Sequence, residues 1–223
     1  MICIYIADIG ALGSSDAAAL YAALPDDLRH TVPTDTHPER FLASTVLRTM
    51  LCAHLREAET MTIDAYGAPR LSSGRAISMS HDGHLCVLAL GDAATALGVD
   101  VQQHALTKER AEAIGRRFFA SLADGARLPA SAFSLYVSHV SVQNAYKDLQ
   151  MDAFSRVEPT ACEPADDIFF EKWTRLEAIL KSTGLGFEGM PALAAYSAEA
   201  STATCALTDA AGRRYTLSLA MRA

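Results

Sequence analysis

Residues 169–186 read FFEKWTRLEAILKSTGLG, and this segment has the clearest helical pattern of the chain. Trp173, Leu176 and Leu180 recur at the spacing that forms one apolar stripe along a helix. Gly184 follows the last periodic residue and suits a left-handed C-cap, so we expect the helix to end there.

The same helix carries an acid and a base four residues apart. Glu177 and Lys181 lie on one face, at the edge of the apolar stripe. One interpretation is a surface ion pair, worth about 0.3–0.5 kcal/mol. The other is that both side chains lie at the rim of a buried site. The helix by itself does not decide between them.

The composition narrows the class of protein. With 223 residues and 50% hydrophobic composition, the chain can bury a sizeable core in one large or two small domains. A formal charge of −7 with mixed signs argues against a general nucleic-acid binder and against binding anionic membranes through bulk charge. No segment approaches the roughly 18 apolar residues of a membrane helix. The N-terminus lacks a basic region before its apolar run, so we interpret it as a strand and expect a soluble, cytoplasmic protein.

The cysteines give no sign of a metal or disulfide framework. They are Cys3, Cys52, Cys86, Cys162 and Cys205, and they are dispersed with no CxxC spacing. Such an odd and scattered set predicts free thiols in a reducing compartment.

An acidic residue lies inside the apolar strand predicted for residues 93–104. Val99 and Val101 point to one face of this strand, while Asp100 and Gln102 point to the other. A carboxylate in such a strand carries a desolvation penalty unless it is paired or bound to a metal. We therefore expect Asp100 to have a partner. Gly98 indicates a bulge or a close backbone approach.

The region before this strand contains a hairpin pattern. Residues 76–90 form two β-rich runs around Asp82-Gly83, which places Ser80 and His81 at the end of the first run. His81 and His84 lack a third ligand, so a structural role is the simpler interpretation. Residues 66–74 read YGAPRLSSG, which predicts a loop.

The remaining segments have weaker patterns. Arg40 and Arg48 lie on a helix predicted from residue 36, where arginines are ordinarily solvated. The other expectations are a strand at 2–9, helices at 16–24 and 108–119, mixed helix and loop over 120–168, and β segments over 192–221 with a turn near 209–212.

Three separated segments together resemble one enzyme family. They are SMSHDG with Ser80 and His81, LGVDVQ with Asp100, and WTRLEAILKSTG with Glu177 and Lys181. Their order and residue types resemble the 4′-phosphopantetheinyl transferases, specifically the monomeric type typified by the surfactin-synthetase-activating enzyme. The marks of that family are a G-K-P loop, an S-H at a strand end, a G-[IV]-D-[IVL]-E strand and a W-x-x-K-E-[AS]-x-x-K helix preceded by R-F-F. The resemblance runs from about residue 40 to residue 186.

The resemblance implies a reaction and a metal site. Enzymes of this family transfer 4′-phosphopantetheine from coenzyme A to a serine of an acyl or peptidyl carrier protein and release 3′,5′-ADP. By resemblance, Asp100, Gln102 and Glu177 would hold Mg²⁺, with Mn²⁺ as an alternative ion, and Asp100, Glu177 and Lys181 would be catalytic. Lys181 would meet phosphate charge. The family acts as a monomer on its carrier protein, with no nucleic acid or membrane partner.

The resemblance also implies where coenzyme A binds. Ser80 and His81 match the pair that contacts the 3′-phosphate, and Arg48 and Arg40 match basic helix positions near the nucleotide. The adenine-side loop and its neighbour correspond to Gly67, Pro69 and Arg70.

The fold implied is α+β, with two similar subdomains related by pseudo-two-fold symmetry. Each would be a small antiparallel sheet packed on a long helix. The expected subdomains are residues 1–103 and 104–223, with a boundary near 100–107 and the active site in the cleft between them.

The chain departs from the family pattern at several positions. Gln102 replaces the second strand carboxylate, Leu176 replaces the lysine before the glutamate, and Ala68 replaces the lysine of G-K-P. Ala123 lies where a further acid is often found, with Asp124 beside it. The spacing from Phe119 to Trp173 is longer than in the family pattern, and residues 126–164 are therefore interpreted as an insertion or a carrier-facing lid. A catalytically impaired homologue that binds coenzyme A or a carrier, and a chance match on an unrelated α+β protein, therefore remain as alternatives.

Overall fold

The computed structural model describes residues 1–93, 95–157 and 167–222. Cys162, and the part of the expected insertion at 158–166, lie outside the described residues. The helices are α1 (Ser14–Ala23), α2 (Asp26–Arg29), α3 (Pro38–Cys52), α4 (Lys108–Phe118), α5 (Ala145–Asp148), α6 (Ile168–Thr183) and α7 (Leu193–Glu199). The strands are β1 (Ile2–Asp8), β2 (Met61–Ile63), β3 (Pro69–Leu71), β4 (Ile77–Asp82), β5 (Leu85–Leu90), β6 (Ala96–Gln103), β7 (Ala126–Arg127), β8 (Phe133–His139), β9 (Ser155–Val157), β10 (Ser201–Thr208) and β11 (Arg214–Arg222).

The strands form two main sheets and one small hairpin. The first sheet has the order β4-β5-β1-β8-β9, and the second has the order β6-β11-β10-β7. β1 pairs with β8 in parallel and with β5 antiparallel. β11 pairs antiparallel with both β6 and β10. The small hairpin consists of β2 and β3. The fold is therefore mixed α+β.

The two sheets share one core and carry helices on their outer faces. Cys86 and Leu88 of β5 pack with α1 and α3, while Leu85 and Val87 face the second sheet. Val99 of β6 belongs to the core between the sheets. Since side chains alternate along a strand, the next residues of β6 face the opposite way, against α6.

The adjoining edges of the two sheets are connected by side chains. Three alternate residues of β4 accept hydrogen bonds from backbone N–H groups of β6. The bonds run from Val99 N to Ser78 Oγ (3.0 Å), from Val101 N to Ser80 Oγ (3.2 Å) and from Gln103 N to Asp82 Oδ2 (2.7 Å). The polar residues of β4 thereby satisfy backbone N–H groups on the outer edge of β6, which pairs with no other strand there among the described residues.

Helix α6 agrees with the predicted pattern. It ends at Gly184, whose φ of 73° is left-handed, and Asp167 caps its start by accepting from Phe169 N. Leu176 and Leu180 are buried. Trp173 is only partly buried, between aromatic rings that include Phe118 and Phe187.

Three expectations about secondary structure are wrong. Residues 66–74, predicted as a loop, contain strand β3, which pairs antiparallel with β2. The segment 120–168 contains strand β8, because its backbone partner is β1, which lies far away in sequence. The chain after residue 192 first forms α7, where Leu193 and Ser197 are buried one turn apart, and only then the hairpin of β10 and β11. The first strand, the β4–β5 hairpin, the helices and the turn at 209–212 are confirmed.

No disulfide joins the described cysteines, which are Cys3, Cys52, Cys86 and Cys205. Among the described residues, no helix has the length and apolar character needed to cross a membrane.

Candidate active site

Asp100 lies at the centre of a buried polar group between β4, β6 and α6. Only 3% of Asp100 is exposed. Its Oδ1 accepts from Lys181 Nζ at 2.6 Å and from Ser80 Oγ at 2.9 Å. Lys181 Nζ also donates to Ser80 Oγ at 2.9 Å. The expectation that Asp100 has a partner is confirmed.

Lys181 is therefore not a surface partner of Glu177. The ammonium reaches across from α6 to β6, where it forms an ion pair with a carboxylate whose side chain is only 4% exposed. The interpretation of Glu177 and Lys181 as an ordinary pair along one helix is wrong. The alternative, in which both lie at the rim of a buried site, agrees with their half-buried positions.

Glu177 lies against the carboxyl group of Asp100. Burial raises the pKa of Glu177 to about 7, and the negative charge of Asp100 and a hydrogen bond between the two carboxyl groups act in the same direction. The positive charge of Lys181 opposes this shift. Glu177 is thus partly protonated near neutral pH when no cation is bound.

The amide nitrogen of Gln102 contacts a carboxylate. Its Nε2 donates to Asp82 Oδ2 at 2.5 Å, and the backbone N of Gln103 donates to the same oxygen. Burial raises the pKa of Asp82, and the charge of Asp100 adds to that shift. Sequence reasoning missed Asp82 as a site residue. Its position two residues after Ser80 on one strand face is the signal that could have found it.

The donor set fits a hard divalent cation. Asp100 and Glu177 offer only oxygen atoms, which Mg²⁺ and Mn²⁺ prefer. Asp100 Oδ2 is buried, and no N–H or hydroxyl group in the part of the chain that the structure describes donates to it. A cation between the two carboxyl groups would replace the proton that joins Glu177 to Asp100.

A smaller cavity of about 360 Å³ lies on the opposite face of β4. Arg40, Arg48 and His81 line it. Because side chains alternate along β4, His81 faces this cavity while Ser80 faces β6.

Arg48 is a buried cation in this cavity wall. It is 8% exposed and donates from Nε and Nη2 to the side chain and carbonyl of Thr31, each at 3.1 Å. Burial lowers its pKa to about 10. Among the described residues no carboxylate forms an ion pair with it. The expectation that both helix arginines are solvated is wrong for Arg48 and correct for Arg40.

The charges around His81 favour an anion. Desolvation lowers the pKa of His81, and the positive charges of Lys181 and Arg40 lower it further. Two arginines and a histidine on one cavity wall match the chemistry of a bound phosphate.

A larger cavity of about 610 Å³ lies on the other side of the loop at 66–70. Gly67, Pro69, Arg70 and Lys181 line it. Arg70 forms an ion pair with Asp64 at 2.9 Å, so its charge is partly compensated within the protein.

The structure thus brings most of the predicted residues to two adjoining cavities. Gly67 and Pro69 line both of them. Four predicted residues line neither cavity: Ser80, Asp100, Gln102 and Glu177. Ser80 is 5% exposed and its hydroxyl is fully engaged by Asp100, Lys181 and Val101 N–H. A direct contact between Ser80 and a phosphate would require one of these bonds to break.

The departures on α6 have structural explanations. Leu176, in place of the family lysine, is fully buried in the core. Arg175 projects away from the site and donates to the carbonyl of Ala123 at 2.8 Å. Asp124 is also near Arg175, at 3.5 Å.

A second group of ligand-type atoms lies away from this site. Asp8, His84 and Asp209 have ligand atoms within 4.8 Å of one another. Arg213 lies among them, donating from Nε to Asp209 Oδ2 at 2.6 Å and contacting the His84 ring. A guanidinium thus fills the group, which supports the structural interpretation of His84.

The comparisons with known proteins do not assign a family. No protein-family model matches the chain, and a search of the curated proteins returned no match.

Proposed function

We propose that this protein transfers 4′-phosphopantetheine from coenzyme A to a serine of an acyl or peptidyl carrier protein, in a Mg²⁺-dependent reaction that releases 3′,5′-ADP. The observation that carries the proposal is the meeting of Asp100, Glu177 and Lys181 beside two cavities lined by cations. We further propose that it acts as a cytoplasmic monomer, without nucleic acid or membrane partners.

The proposed reaction exchanges one phosphorus–oxygen bond for another. The serine oxygen forms a bond to the β-phosphorus of coenzyme A, and the bond from that phosphorus to the bridging oxygen breaks. The leaving 3′,5′-ADP takes the electron pair, and the serine proton passes to a base. Glu177, or a water that it orients, would accept this proton.

The cations of the site would bind the phosphates. Lys181 lines the larger cavity and would balance charge on the pyrophosphate. Arg48 and His81, with Arg40 at the cavity mouth, would hold the 3′-phosphate. A divalent ion held by Asp100 and Glu177 would supply further positive charge to the reacting phosphate.

We also propose that the fold consists of two related subdomains, residues 1–103 and 104–223. The order of elements supports a repeat, since a strand, two helices and a hairpin occur twice in the same order: β1, α1, α3, β4, β5 and then β6, α4, α6, β10, β11. In this grouping β6 (Ala96–Gln103) belongs with the second set, although it lies before residue 104. In each half the last strand is central and pairs antiparallel with the other two. Pairing also crosses residue 103, because β6 joins β11 and β8 joins β1. The site lies where β4 and β6 adjoin.

A second candidate is a homologue that binds coenzyme A or a carrier protein without transfer. Gln102 favours it, because an amide brings no negative charge to a cation where the family has a carboxylate. The ion pair of Lys181 with Asp100 favours it as well, because it engages both catalytic groups.

The test is intact-mass spectrometry of apo-carrier proteins incubated with this protein, coenzyme A and Mg²⁺. We expect a gain of one phosphopantetheine that EDTA prevents. Asp100→Asn and Glu177→Gln should abolish the gain, whereas Glu112→Gln on the exposed face of α4 should not. No gain across acyl and peptidyl carriers, with coenzyme A still bound by calorimetry, would favour the binding protein. Absence of coenzyme A binding would contradict both candidates.

A further inference from the structure

Asp8, His84 and Asp209 bring metal-ligating side chains together from three distant parts of the chain. Asp8 ends β1, His84 lies in the turn between β4 and β5, and Asp209 follows β10. One ligand atom of each residue lies within 4.8 Å of those of the other two. Because Zn²⁺ binds its ligands at about 2.0–2.2 Å, small side-chain movements would let the three atoms share one ion.

The two carboxylates of this group are buried and held by backbone donors. Asp8 and Asp209 are each 6% exposed. Asp8 accepts from Gly10 N at 3.1 Å and from Ala210 N at 2.7 Å, and Asp209 Oδ1 accepts from two backbone N–H groups of its own turn at 2.9 Å each. Such donors orient a carboxylate and leave lone pairs for a metal ion. Two buried negative charges this close together also require a cation nearby.

In the structure the guanidinium of Arg213 supplies the positive charge. Its Nε donates to Asp209 Oδ2 at 2.6 Å, and its two terminal nitrogens each contact a ring nitrogen of His84. A guanidinium only donates, whereas a neutral imidazole has one donor and one acceptor nitrogen. One of the two contacts with His84 therefore sets a donor against a donor. Arg213 satisfies Asp209 but leaves His84 poorly matched.

The position of Arg213 allows its guanidinium to be replaced. The side chain of Arg213 is 31% exposed, whereas that of Asp209 is fully buried. The turn at 209–212 keeps its backbone bonds to Asp209 when the guanidinium rotates into solvent. His84 stays in place, because its ring occupies the space beside Gly10, where a Cβ atom would be 2.2 Å from Nδ1.

We infer that Asp8, His84 and Asp209 form a Zn²⁺ site in which the ion and the guanidinium of Arg213 compete for one position. An imidazole and two carboxylates suit Zn²⁺, and a water completes the usual four ligands. The ion accepts a lone pair from His84 and thereby removes the contact between two donors. It also connects β1 of the first sheet to the β10–β11 turn of the second. The inference does not depend on the proposed function, since the two sites share no residue.

The test is calorimetric titration of the full chain with Zn²⁺. Asp100→Asn and Glu177→Gln are present throughout, so that the charged ligands of the candidate active site are removed. We expect His84→Gln to weaken Zn²⁺ binding at least tenfold. Arg213→Gln should tighten binding at least tenfold, because the ion no longer has to displace a charged group. Arg156→Gln, exposed on β9, is the matched control and should bind as the parent chain does.

Thermal unfolding in EDTA checks that each variant folds, and the same measurement with Zn²⁺ gives a second readout. Zn²⁺ in excess should raise the melting temperature of Arg213→Gln more than that of the parent chain, because tighter binding to the folded state adds more stability. Adding His84→Gln should abolish this rise.

Three results would overturn the inference. They are no Zn²⁺ binding by either the parent chain or Arg213→Gln, equal affinity of these two proteins, and binding that His84→Gln leaves unchanged. None of them bears on phosphopantetheine transfer, which the mass-spectrometric assay tests separately in the chain with its natural Asp100 and Glu177.

Discussion

The backbone of Gly98 on β6 lies directly against the carbonyl of Ala178 on α6. A Cβ atom at Gly98 would be 1.9 Å from that oxygen and 2.6 Å from the backbone N of Ser182. No side chain fits between the strand and the helix at this point. This close approach lets Lys181, at the same turn of α6, reach Asp100 two residues along β6 at 2.6 Å.

We expect Gly98→Ala to separate α6 from β6. A methyl group forced against backbone typically costs about 1–3 kcal/mol, and here the displaced helix carries Glu177. Urea unfolding should show the loss of stability, and Mn²⁺ binding should weaken in the fraction that remains folded. Gly91→Ala is the control, because its Cβ would meet only ordinary contacts at 3.5–3.7 Å. Equal stability of the two variants would contradict the packing argument.

The ion pair between Lys181 and Asp100 leads to a second prediction. Lys181→Met leaves a buried carboxylate without its cation and should cost about 2–3 kcal/mol in EDTA, less than for a fully buried pair because Lys181 is 30% exposed. Adding Asp100→Asn removes the unpaired buried charge of the carboxylate, so the double variant should be more stable than Lys181→Met alone. Urea unfolding of the natural protein, the two single variants and the double variant measures the coupling free energy between Lys181 and Asp100. Additive losses would show that the two groups do not interact.

The raised pKa of Glu177 predicts how stability depends on pH. In EDTA the folded chain holds a proton on Glu177 up to about pH 7, whereas the unfolded chain releases it near 4.5. The folded state binds more protons between these values, so this contribution to stability falls as pH rises from 4.5 to 7. Glu177→Gln should therefore raise the free energy of unfolding at pH 8, by at most about 3 kcal/mol. This gain in the free energy of unfolding should shrink toward pH 5. A gain that does not change with pH would contradict the raised pKa of Glu177.

The pair of Glu59 and Arg75 should have the opposite pH dependence. The hydrogen bond from Arg75 is the main cause that lowers the pKa of Glu59 to about 2 from 4.5. The stabilisation is present above pH 4.5 and is lost as the pH falls toward 2. Glu59→Gln should lower the melting temperature at pH 7, and the difference from the natural protein should narrow below pH 4.5. A difference that persists unchanged at pH 3 would mean that packing, not charge, is responsible.

The cavity containing Arg48 should discriminate coenzyme A from its 3′-dephospho form. Arg48→Gln removes a buried cation that has no carboxylate partner among the described residues, so an anionic ligand loses a charge-assisted contact. We expect calorimetry to show at least a tenfold loss of affinity for coenzyme A and little change for 3′-dephospho-coenzyme A. Arg156→Gln, an exposed change on β9, is the control. Equal losses for both ligands would place the 3′-phosphate elsewhere.

Local patterns in the sequence predicted the helix and strand that carry the site. The periodic spacing of Trp173, Leu176 and Leu180 indicated α6, and the left-handed Gly184 ends it where expected. The alternation around Asp100 placed this acid opposite Val99, and Gly98 marked a close approach. These predictions succeeded because periodicity, capping and desolvation are properties of a few consecutive residues.

The contacts between segments could not be read from the chain. Lys181 pairs with Asp100 rather than serving as a surface partner of Glu177, and Gln102 bonds to Asp82 on a different strand. Strand β8 was missed for the same reason, since its pattern is unremarkable until β1 lies beside it.

The sequence by itself thus determined which segments are amphipathic and which strand carries a buried acid that needs a partner, and the family resemblance indicated which helix faces that acid. Only the tertiary structure decided which base meets that acid, that Ser80 is engaged at the sheet junction, and that Asp82 accepts hydrogen bonds from Gln102 and Gln103. The physical reason is that hydrogen bonds and ion pairs depend on distances of a few ångströms. Those distances are set by how β4, β6 and α6 pack together, and no single segment of the chain contains that information.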